Sequence, residues 1–333
     1  MKTKRKQPQA NLCHWAELVL PYLCPTDLAS IALTCRSLFE ISKSVTKLRV
    51  TDASRGLEKN PIPFLNSVDD QLYSYFIYTP CSVLSSLSPV CQPWGGTRNT
   101  HESTDTMRQS VKVASLMGGI GSGCDCRVCY KEGYQGCPCS LVIDGLTEVM
   151  TECGVNCDCG LECGNRLTQR GVSVRLKIVK DKFKGWGLHA DQFIDNGTFV
   201  CEYAGELLVT KEARLRQQKY DQLASQGKLF SALLVVREHL PSGKACLRVN
   251  IDATRVGNIA RFINHSCDGG NLSNFLVRST DVLVPRLCFF AARDILEGEE
   301  LCFMYGDVIV NPNGQPCFCG SSACLGVLPS EAT

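Results

Sequence analysis

Apolar residues near the start of the chain recur at helical spacing. Between residues 15 and 42 this spacing predicts two or three short helices, with Pro21 and Pro25 separating them. The apolar positions expected to form the core of this segment are Leu18, Leu20, Leu23, Leu28, Ile31, Leu33 and Leu38. Since leucines at helical spacing usually make a packed core, a small helical packing module is one interpretation of the segment.

In the second half of the chain, apolar and polar residues alternate over short stretches, as in Val172 to Ile178 and Leu247 to Ile251. This alternation predicts half-buried strands. One helix is predicted among them, beginning near Thr210 and ending by Gly227. From residue 80 to residue 123, by contrast, Ser, Pro, Gly and Thr dominate without periodicity, which predicts a loop or linker. The expected fold class is therefore mostly β with α additions.

The overall composition limits the classes of protein to which the chain can belong. Its 333 residues, 44% of them hydrophobic, suffice for two or three domains with a sizeable core. No stretch reaches the roughly 20 apolar residues that a membrane span needs, so no membrane association is expected. The net charge of +2 lacks the broad positive field of a protein that mainly grips nucleic acid, so direct sequence-specific DNA binding is not expected. The basic tract Lys2, Lys4, Arg5 and Lys6 is either a nuclear address or a solvated tail.

Nine cysteines lie between residues 124 and 163 at spacings typical of a metal site. They are Cys124, Cys126, Cys129, Cys137, Cys139, Cys153, Cys157, Cys159 and Cys163. An odd number cannot pair completely into disulfides, and cysteines one residue apart are poorly placed to bond each other. Zinc takes four thiolates, and nine thiolates fill the positions of three ions when three of them bridge. We therefore predict a triple-zinc cluster that replaces a missing apolar core; a reduced, metal-free loop would leave the spacing unexplained.

Three further motifs follow, and the chain then closes with C-x-C-x4-C. These are Lys184-Gly185-Trp186-Gly187, RFINHSC from Arg261 to Cys267, ELCFMYGD from Glu300 to Asp307, and the cysteines Cys317, Cys319 and Cys324. Alone, the first motif only allows close backbone approach, and a hairpin turn would explain it. In this order, the cysteine array and motifs resemble the SET-domain lysine methyltransferases. The nine-cysteine array resembles their suppressor-of-variegation branch, whose members methylate histone H3.

The resemblance covers about residues 60 to 327 and implies small β-sheets around a knot-like C-terminal segment. It divides the chain into a basic tail and F-box-like helical segment (1–48), a lead-in and linker (49–123), a pre-SET zinc cluster (124–171), a SET catalytic domain (172–307) and a post-SET zinc segment (313–329). The three cysteines of the last segment are one ligand short of a closed zinc site. Cys267 is the expected fourth ligand, so that one zinc folds the C-terminal tail over the cofactor.

The resemblance also implies a cofactor and the residues that hold it. The cofactor is S-adenosylmethionine, the methyl donor. Its binding loop would be Lys184, Gly185 and Trp186, and its adenosyl-binding pair would be Asn264 and His265.

Catalytic roles are implied for the last motif. Tyr305 matches the catalytic tyrosine, which lies beside the transferred methyl and the incoming amine and also contacts the cofactor; a buried core tyrosine is the alternative. Phe303 matches a position that sets product number, where Phe leaves room for di- or trimethylation. Arg261 and Glu206 match motif positions too, although structural ion pairing explains both equally well.

As function, the resemblance implies methylation of the histone H3 tail in the nucleosome, at lysine 9, in chromatin silencing. The protein would then be nuclear and associated with chromatin. The chain departs from the usual pattern at Met304, where Asp is common, and at Lys228 and Val256, where tyrosines are common, so the aromatic walls of the lysine channel look incomplete. Residues 12–45 resemble an F-box, so the alternative is a weakly active SET adaptor or a substrate receptor that binds a ubiquitin-ligase adaptor there.

Overall fold

A computed structural model describes residues 8–93, 123–127, 129, 149–224, 231–239, 246–280, 282–306 and 314–329 of the protein. Strands outnumber helices in these ranges, which confirms the expected class, mostly β with α additions. The helices of these residues are α1 (Pro8–Val19), α2 (Pro25–Ala32), α3 (Arg36–Thr51) and α4 (Thr210–Ala224). None of them is long and apolar enough to cross a lipid bilayer.

The strands are short, and many pair with strands far away in the chain. They are β1 (Phe64–Leu65), β2 (Ile77–Tyr78), β3 (Val83–Leu84), β4 (Val149–Glu152), β5 (Leu176–Asp181), β6 (Gly185–Ala190), β7 (Phe199–Glu202), β8 (Gly205–Leu208), β9 (Leu233–His239), β10 (Cys246–Gly257), β11 (Asn264–His265), β12 (Leu272–Ser279), β13 (Arg286–Ala291) and β14 (Cys302–Phe303). They form the sheets β1-β5-β6, β2-β10-β8-β3 with β9 on β10, β4-β12-β13-β7, and β11-β14. The main hydrophobic core takes residues from every one of these sheets, among them Phe64, Ile251, Phe289 and Phe303.

The helical segment packs around a small core of its own. Ala16, Leu20, Leu28 and Val45 are buried in it, and Leu23, Ile31 and Leu38 pack against them. Leu18 and Leu33, also expected in this core, are instead 51% and 88% exposed. Leu18 stands two residues from both Ala16 and Leu20 and so lies on another face of α1, while Leu33 follows the last residue of α2. Helix α3 continues past residue 48 to Thr51, because no glycine or proline interrupts it.

A buried cation joins the helical segment to the β-rich body. Arg49 of α3 is fully buried, and its guanidinium donates to the carbonyls of Pro21 at 3.2 Å and Leu23 at 2.7 Å. It also donates to the hydroxyl of Tyr73 at 2.9 Å, and Tyr73 packs against the main core. The F-box-like segment is therefore anchored to the rest of the chain.

The expected linker contains a strand. Val83 and Leu84 form β3, which pairs in parallel with Glu206 and Leu207 of β8, so the prediction of a loop from residue 80 is wrong at these positions. Two residues are too few to show an alternating pattern. The short strand takes its conformation from a partner more than a hundred residues away, which no local pattern reveals.

The C-terminal end of the β-rich region passes between two parts of one loop. Strand β14 pairs in parallel with β11, where Asn264 stands opposite Cys302. Further along the same loop, the Asn271 amide donates to the Cys302 carbonyl at 3.1 Å, and the Cys302 amide donates to the Asn271 side chain at 3.0 Å. Strand β14 therefore lies between two parts of the continuous 264–271 loop and is hydrogen-bonded to both, in the place that the expected knot-like arrangement requires.

Candidate active site and metal sites

The pairing of β11 with β14 brings the two C-terminal motifs into one site. Strand β11 contributes Asn264 and His265, and Phe303 of β14 is followed two residues later by Tyr305. The rings of His265 and Tyr305 lie 5.3 Å apart, and those of Phe303 and Tyr305 lie 5.0 Å apart, centroid to centroid. The structure thus collects these four predicted site residues.

The first motif reaches the same site as part of the β5–β6 hairpin. Gly185 begins β6 with a φ of 76°, a left-handed conformation that favours glycine. The carbonyl of Trp186 accepts a hydrogen bond from Asn264 Nδ2 at 3.4 Å. A Cβ atom at Gly187 would lie 2.7 Å from Glu300 Oε1, so the missing side chain allows the hairpin to approach. The motif is therefore both a hairpin, as the simpler interpretation held, and a wall of the site.

Glu300, to which the sequence assigns no role, connects these elements. Its Oε1 accepts from Asn264 Nδ2 at 2.8 Å, and its Oε2 pairs with the ammonium of Lys184. Burial by itself lowers the pKa of Lys184, but the Glu300 carboxylate outweighs burial and holds that pKa above its ordinary value. Lys184 is therefore a cation at neutral pH.

Tyr305 directs its hydroxyl inward. The residue is 37% exposed, yet its hydroxyl donates to the buried Ile263 carbonyl at 2.8 Å. Burial raises the pKa of Tyr305 well above its ordinary value, and the neighbouring Cys302 and Glu300 raise it further. The phenol therefore stays protonated at neutral pH. It can orient a neighbouring group by hydrogen bonding, but it cannot serve as a phenolate base.

Aromatic side chains surround Tyr305. Phe303 is 3% exposed, and its ring lies 4.7 Å from that of Phe289. Tyr203, which the sequence reasoning missed, lies 6.5 Å from Phe289 and donates its hydroxyl to the Ala232 carbonyl at 2.8 Å. Burial raises the pKa of Tyr203 well above its ordinary value, so this phenol also stays protonated at neutral pH. The sequence signal that could have identified Tyr203 is its position between the two short apolar segments that form β7 and β8.

Glu206 and Arg261, which match family motif positions but could equally be structural, have different surroundings. Glu206 is 3% exposed and forms an ion pair with Arg216 at 2.8 Å, as structural pairing predicts. Among the residues that the structure describes, no carboxylate lies within ion-pair distance of Arg261, and structural ion pairing stays a prediction for this residue. Its guanidinium lies over the rings of Phe76 and Phe262, at 4.8 and 5.1 Å, and burial lowers its pKa to about 10.

His265 links Tyr305 to a group of cysteines. The backbone N–H of Tyr305 lies 3.2 Å from Nδ1 of His265. Because this N–H can only donate, Nδ1 accepts, and the imidazole proton resides on Nε2. Nε2 lies 3.2 Å from Cys267 Sγ and donates to it. Burial lowers the pKa of His265, which favours this neutral form.

The C-terminal cysteines fit one zinc ion. The sulfur atoms of Cys267, Cys317, Cys319 and Cys324 lie within 4.8 Å of one another. Those of Cys267 and Cys317 are 3.8 Å apart, the spacing of about 3.8 Å that bonds of about 2.3 Å give at tetrahedral corners. Burial by itself raises the pKa of Cys319, but backbone hydrogen bonds from Cys267 and Ser321 outweigh it and lower that pKa to about 7. The predicted fourth ligand is thus in place.

The cysteine array converges in the same way. The four whose sulfur atoms lie within 4.8 Å of one another are Cys124, Cys129, Cys153 and Cys159. Two of these sulfur pairs are 3.8 Å apart. Cys157 and Cys163 are buried in the same cluster, with Cys126 packed against it. Cys137 and Cys139 lie outside the described residues. The four convergent thiols fit one tetrahedral zinc site.

A buried guanidinium lies against this array. Arg166 is 5% exposed and donates to the carbonyls of Gly154 at 2.6 Å and Cys159 at 3.1 Å. Burial by itself lowers the pKa of Arg166, but the neighbouring cysteines outweigh burial and raise it. A cation held there would offset the negative charge that accumulates if the thiolates outnumber the positive charges of bound metal ions.

The three residues that depart from the family pattern, Met304, Val256 and Lys228, lie in different parts of the chain and differ in burial where the structure describes them. Met304 is 39% exposed and lies between Phe303, which is buried, and Tyr305, which is 37% exposed. Val256 is fully buried with Ile77 and Val83, which makes it a packing residue. Lys228 lies outside the described residues.

Comparisons with known proteins agree with this arrangement. The SET domain family matches residues 185–306. The histone-lysine N-methyltransferase SUVR3 of Arabidopsis thaliana is 55% identical over 328 residues, covering 96% of this chain and 91% of the relative. The H3 lysine-9 specific histone-lysine N-methyltransferase SUVH6 of Arabidopsis thaliana is 30% identical over 313 residues, covering 86% of this chain and 38% of the relative.

Solved structures share the fold. The methyltransferase domain of human SETMAR gives a TM-score of 0.61 at 27% identity, covering 84% of this chain and 97% of that one. KRYPTONITE in complex with mCHH DNA, an H3(1-15) peptide and SAH gives a TM-score of 0.58 at 25% identity, covering 82% of this chain and 52% of that one.

Proposed function

Because the chain belongs to the SET-domain histone-lysine N-methyltransferases of the suppressor-of-variegation branch, we propose that it methylates lysine 9 of the histone H3 tail in chromatin silencing. The observation that carries this proposal is the meeting of Asn264, His265 and Tyr305 at one site in a chain 55% identical to such an enzyme. The lysine-9 assignment is supported by the specificity in the name of SUVH6 and by the H3 peptide bound to KRYPTONITE. The site of action would be nuclear chromatin.

S-adenosylmethionine would be held by Lys184, Gly185 and Trp186 on one side and by Asn264 and His265 on the other. The residues fit such a ligand, because Trp186 Nε1 is buried without a hydrogen-bond partner among the described residues. Asn264 offers an acceptor beside this donor. Its Nδ2 faces Glu300, so its side-chain carbonyl oxygen faces away from Glu300 and is available to a ligand. When bound, the cofactor supplies an activated methyl group on a sulfonium centre.

Tyr305 would position the lysine amine. Free lysine has a pKa near 10.4, so the site has to select or produce the neutral amine. Its lone pair would bond to the methyl carbon as the carbon–sulfur bond breaks, and the sulfur would keep that bond's electron pair and leave as a neutral thioether. The Tyr305 hydroxyl directs its proton to the Ile263 carbonyl, which leaves its oxygen able to accept from the amine N–H. Such positioning can lower the barrier by about 7–11 kcal/mol. The proton released by the amine would leave to water.

The zinc sites would be structural. We assign three ions to the nine-cysteine array and one to Cys267, Cys317, Cys319 and Cys324. Four thiolates saturate a tetrahedral ion, which leaves no position for a substrate. Arg166 would offset the surplus negative charge of the array.

The substrate assignment can be tested with three H3 tail peptides: the natural sequence, lysine 9→Arg and lysine 4→Arg. We expect the zinc-loaded full chain to methylate the first and third at similar rates and to leave the second unmodified. Methyl transfer is measured by mass spectrometry. Equal rates on all three peptides would refute the lysine-9 proposal.

Phe303 would set the number of methyl groups. A Phe303→Tyr variant is expected to stop mainly at monomethyl-lysine, because the added phenol would hydrogen-bond the amine and hold a water where further methyl groups must fit. The natural chain is expected to proceed to di- or trimethyl-lysine. Time courses of the product masses distinguish the two. Phe275→Tyr, on the exposed face of β12, is the matched control, and identical product distributions in all three proteins would exclude this role.

A ubiquitin-ligase adaptor function through residues 12–45 stays a prediction. Helices α1 to α3 provide a helical module there, but no contact of the described residues favours that partner.

A further inference from the structure

Glu300 stands where the three motifs of the site meet. Its side chain is 17% exposed. It belongs to the segment that leads into β14, and the Asn271 side chain donates to its backbone carbonyl at 2.9 Å. This hydrogen bond holds the backbone of Glu300 independently of its carboxylate.

The carboxylate has two partners with different functions. Oε1 accepts from the Asn264 amide at 2.8 Å, and Oε2 pairs with the ammonium of Lys184. A carboxylate can only accept hydrogen bonds, so the NH₂ end of the Asn264 side chain is the end that faces Glu300. The amide carbonyl must then face the opposite way. With glutamine at position 300, whose amide can present either its oxygen or its NH₂ group, this contact would no longer fix the orientation, and only the longer bond from Nδ2 to the Trp186 carbonyl at 3.4 Å would favour it.

The absence of a side chain at Gly187 leaves space for the Glu300 carboxylate. A side chain at Gly187 would lie 2.7 Å from Glu300 Oε1 and 3.1 Å from Asn264 Nδ2. The hairpin residue beside the pair therefore has to be a glycine for the contact to exist. The ammonium of Lys184 also balances the charge of Glu300, which lets a carboxylate remain in a partly buried position.

We propose that Glu300 is a positioning residue for the methyl donor: it turns the Asn264 carbonyl toward the bound cofactor and anchors the Lys184 loop. The carbonyl is then preorganised to accept from the cofactor's α-ammonium group. This inference rests on the proposed placement of S-adenosylmethionine between the Lys184 loop and Asn264. Glu300 itself need not touch the donor, and it takes no part in methyl transfer.

The test compares Glu300→Gln with Glu299→Gln in the zinc-loaded full chain. Glu299 is the adjacent acid and pairs with the exposed Arg293 at 3.1 Å, so its substitution removes the same charge outside the site. Calorimetric titration with S-adenosylmethionine is expected to show Kd raised about tenfold for Glu300→Gln, the usual cost of one lost charge-assisted hydrogen bond. Glu299→Gln should retain the natural Kd. At saturating donor, kcat of Glu300→Gln should stay within about threefold of the natural value.

A double-mutant cycle with Asn264→Ala shows whether Glu300 acts through the amide. If it does, Glu300→Gln should weaken binding much less in the Asn264→Ala background than in the natural chain. Glu300→Asp provides a second variant that keeps the charge but is too short to reach both partners, and it should also weaken binding.

The outcomes separate this inference from the proposed site. If Asn264→Ala weakens binding while Glu300→Gln and Glu300→Asp bind like the natural chain, the role of Glu300 is excluded and the site stands. The role is likewise excluded if the effects of Glu300→Gln and Asn264→Ala simply multiply. If Asn264→Ala itself binds S-adenosylmethionine normally, the proposed placement of the cofactor is wrong.

Discussion

Replacing Tyr305 with phenylalanine is expected to lower kcat by about 100- to 1,000-fold, the loss typical when one oriented hydrogen-bonding group is removed from a reacting centre. The substitution removes only the hydroxyl, which donates to the Ile263 carbonyl and would accept from the lysine amine. The ring contacts with His265 and Phe303 remain. Steady-state methyl transfer to an H3 peptide, at saturating S-adenosylmethionine, measures the effect.

Two controls separate chemistry from folding in this variant. The Kd for S-adenosylmethionine and the thermal unfolding temperature should stay close to those of the natural chain, because the Lys184 loop, Asn264, His265 and the aromatic ring at position 305 are unchanged. If the variant transfers methyl groups as fast as the natural chain, Tyr305 has no role in the reaction and the proposed mechanism is wrong.

Losing the zinc of the C-terminal site should also abolish most of the activity. In a Cys319→Ser variant we expect one zinc ion fewer per chain and methyl transfer reduced on the order of 100-fold. Cys267, which would be a ligand of the same ion, accepts from His265, which in turn accepts from the Tyr305 backbone. The ion would therefore restrain the tyrosine through a single imidazole, and its loss would free the catalytic segment.

The matched control is Cys246→Ser, since Cys246 is an exposed cysteine at the start of β10. It should retain both the zinc content and the rate. Metal content is read by atomic emission, and activity by peptide methylation. Full activity in a Cys319→Ser chain that has lost one zinc would show that the tail site does not support catalysis.

The convergence of Cys267 with the tail cysteines could be predicted because ligand number is a local chemical requirement. The three tail thiols supply one ligand fewer than a tetrahedral zinc ion needs. Cys267 is the last residue of a motif that also contributes Asn264 and His265 to the active site. Asn264, His265 and Tyr305 were likewise found from short motifs. The roles of these three residues were inferred from the resemblance. Amide, imidazole and phenol groups have no fixed number of partners, so counting ligands cannot identify their roles as it does for zinc-binding thiols.

Other features depend on contacts between distant segments. Glu300 acts in the site only because β14 pairs with β11, and alternation along the chain does not show this pairing. Tyr203 is one of many buried aromatic residues until the fold packs it against Phe289, which Phe303 also contacts. The role of Arg49 could not be predicted for the same reason. In the sequence it is an ordinary basic residue near a helix end, but the fold surrounds it with backbone carbonyls and Tyr73.

The most direct measurement of the central claim is the position of a labelled methyl group. The zinc-loaded full chain is incubated with an H3 tail peptide and S-adenosylmethionine carrying an isotopically labelled methyl, and tandem mass spectrometry locates the label. The proposed function predicts label on the side-chain nitrogen of lysine 9, strongly reduced with Tyr305→Phe. Label confined to another residue, or no label from the natural chain, would contradict the account.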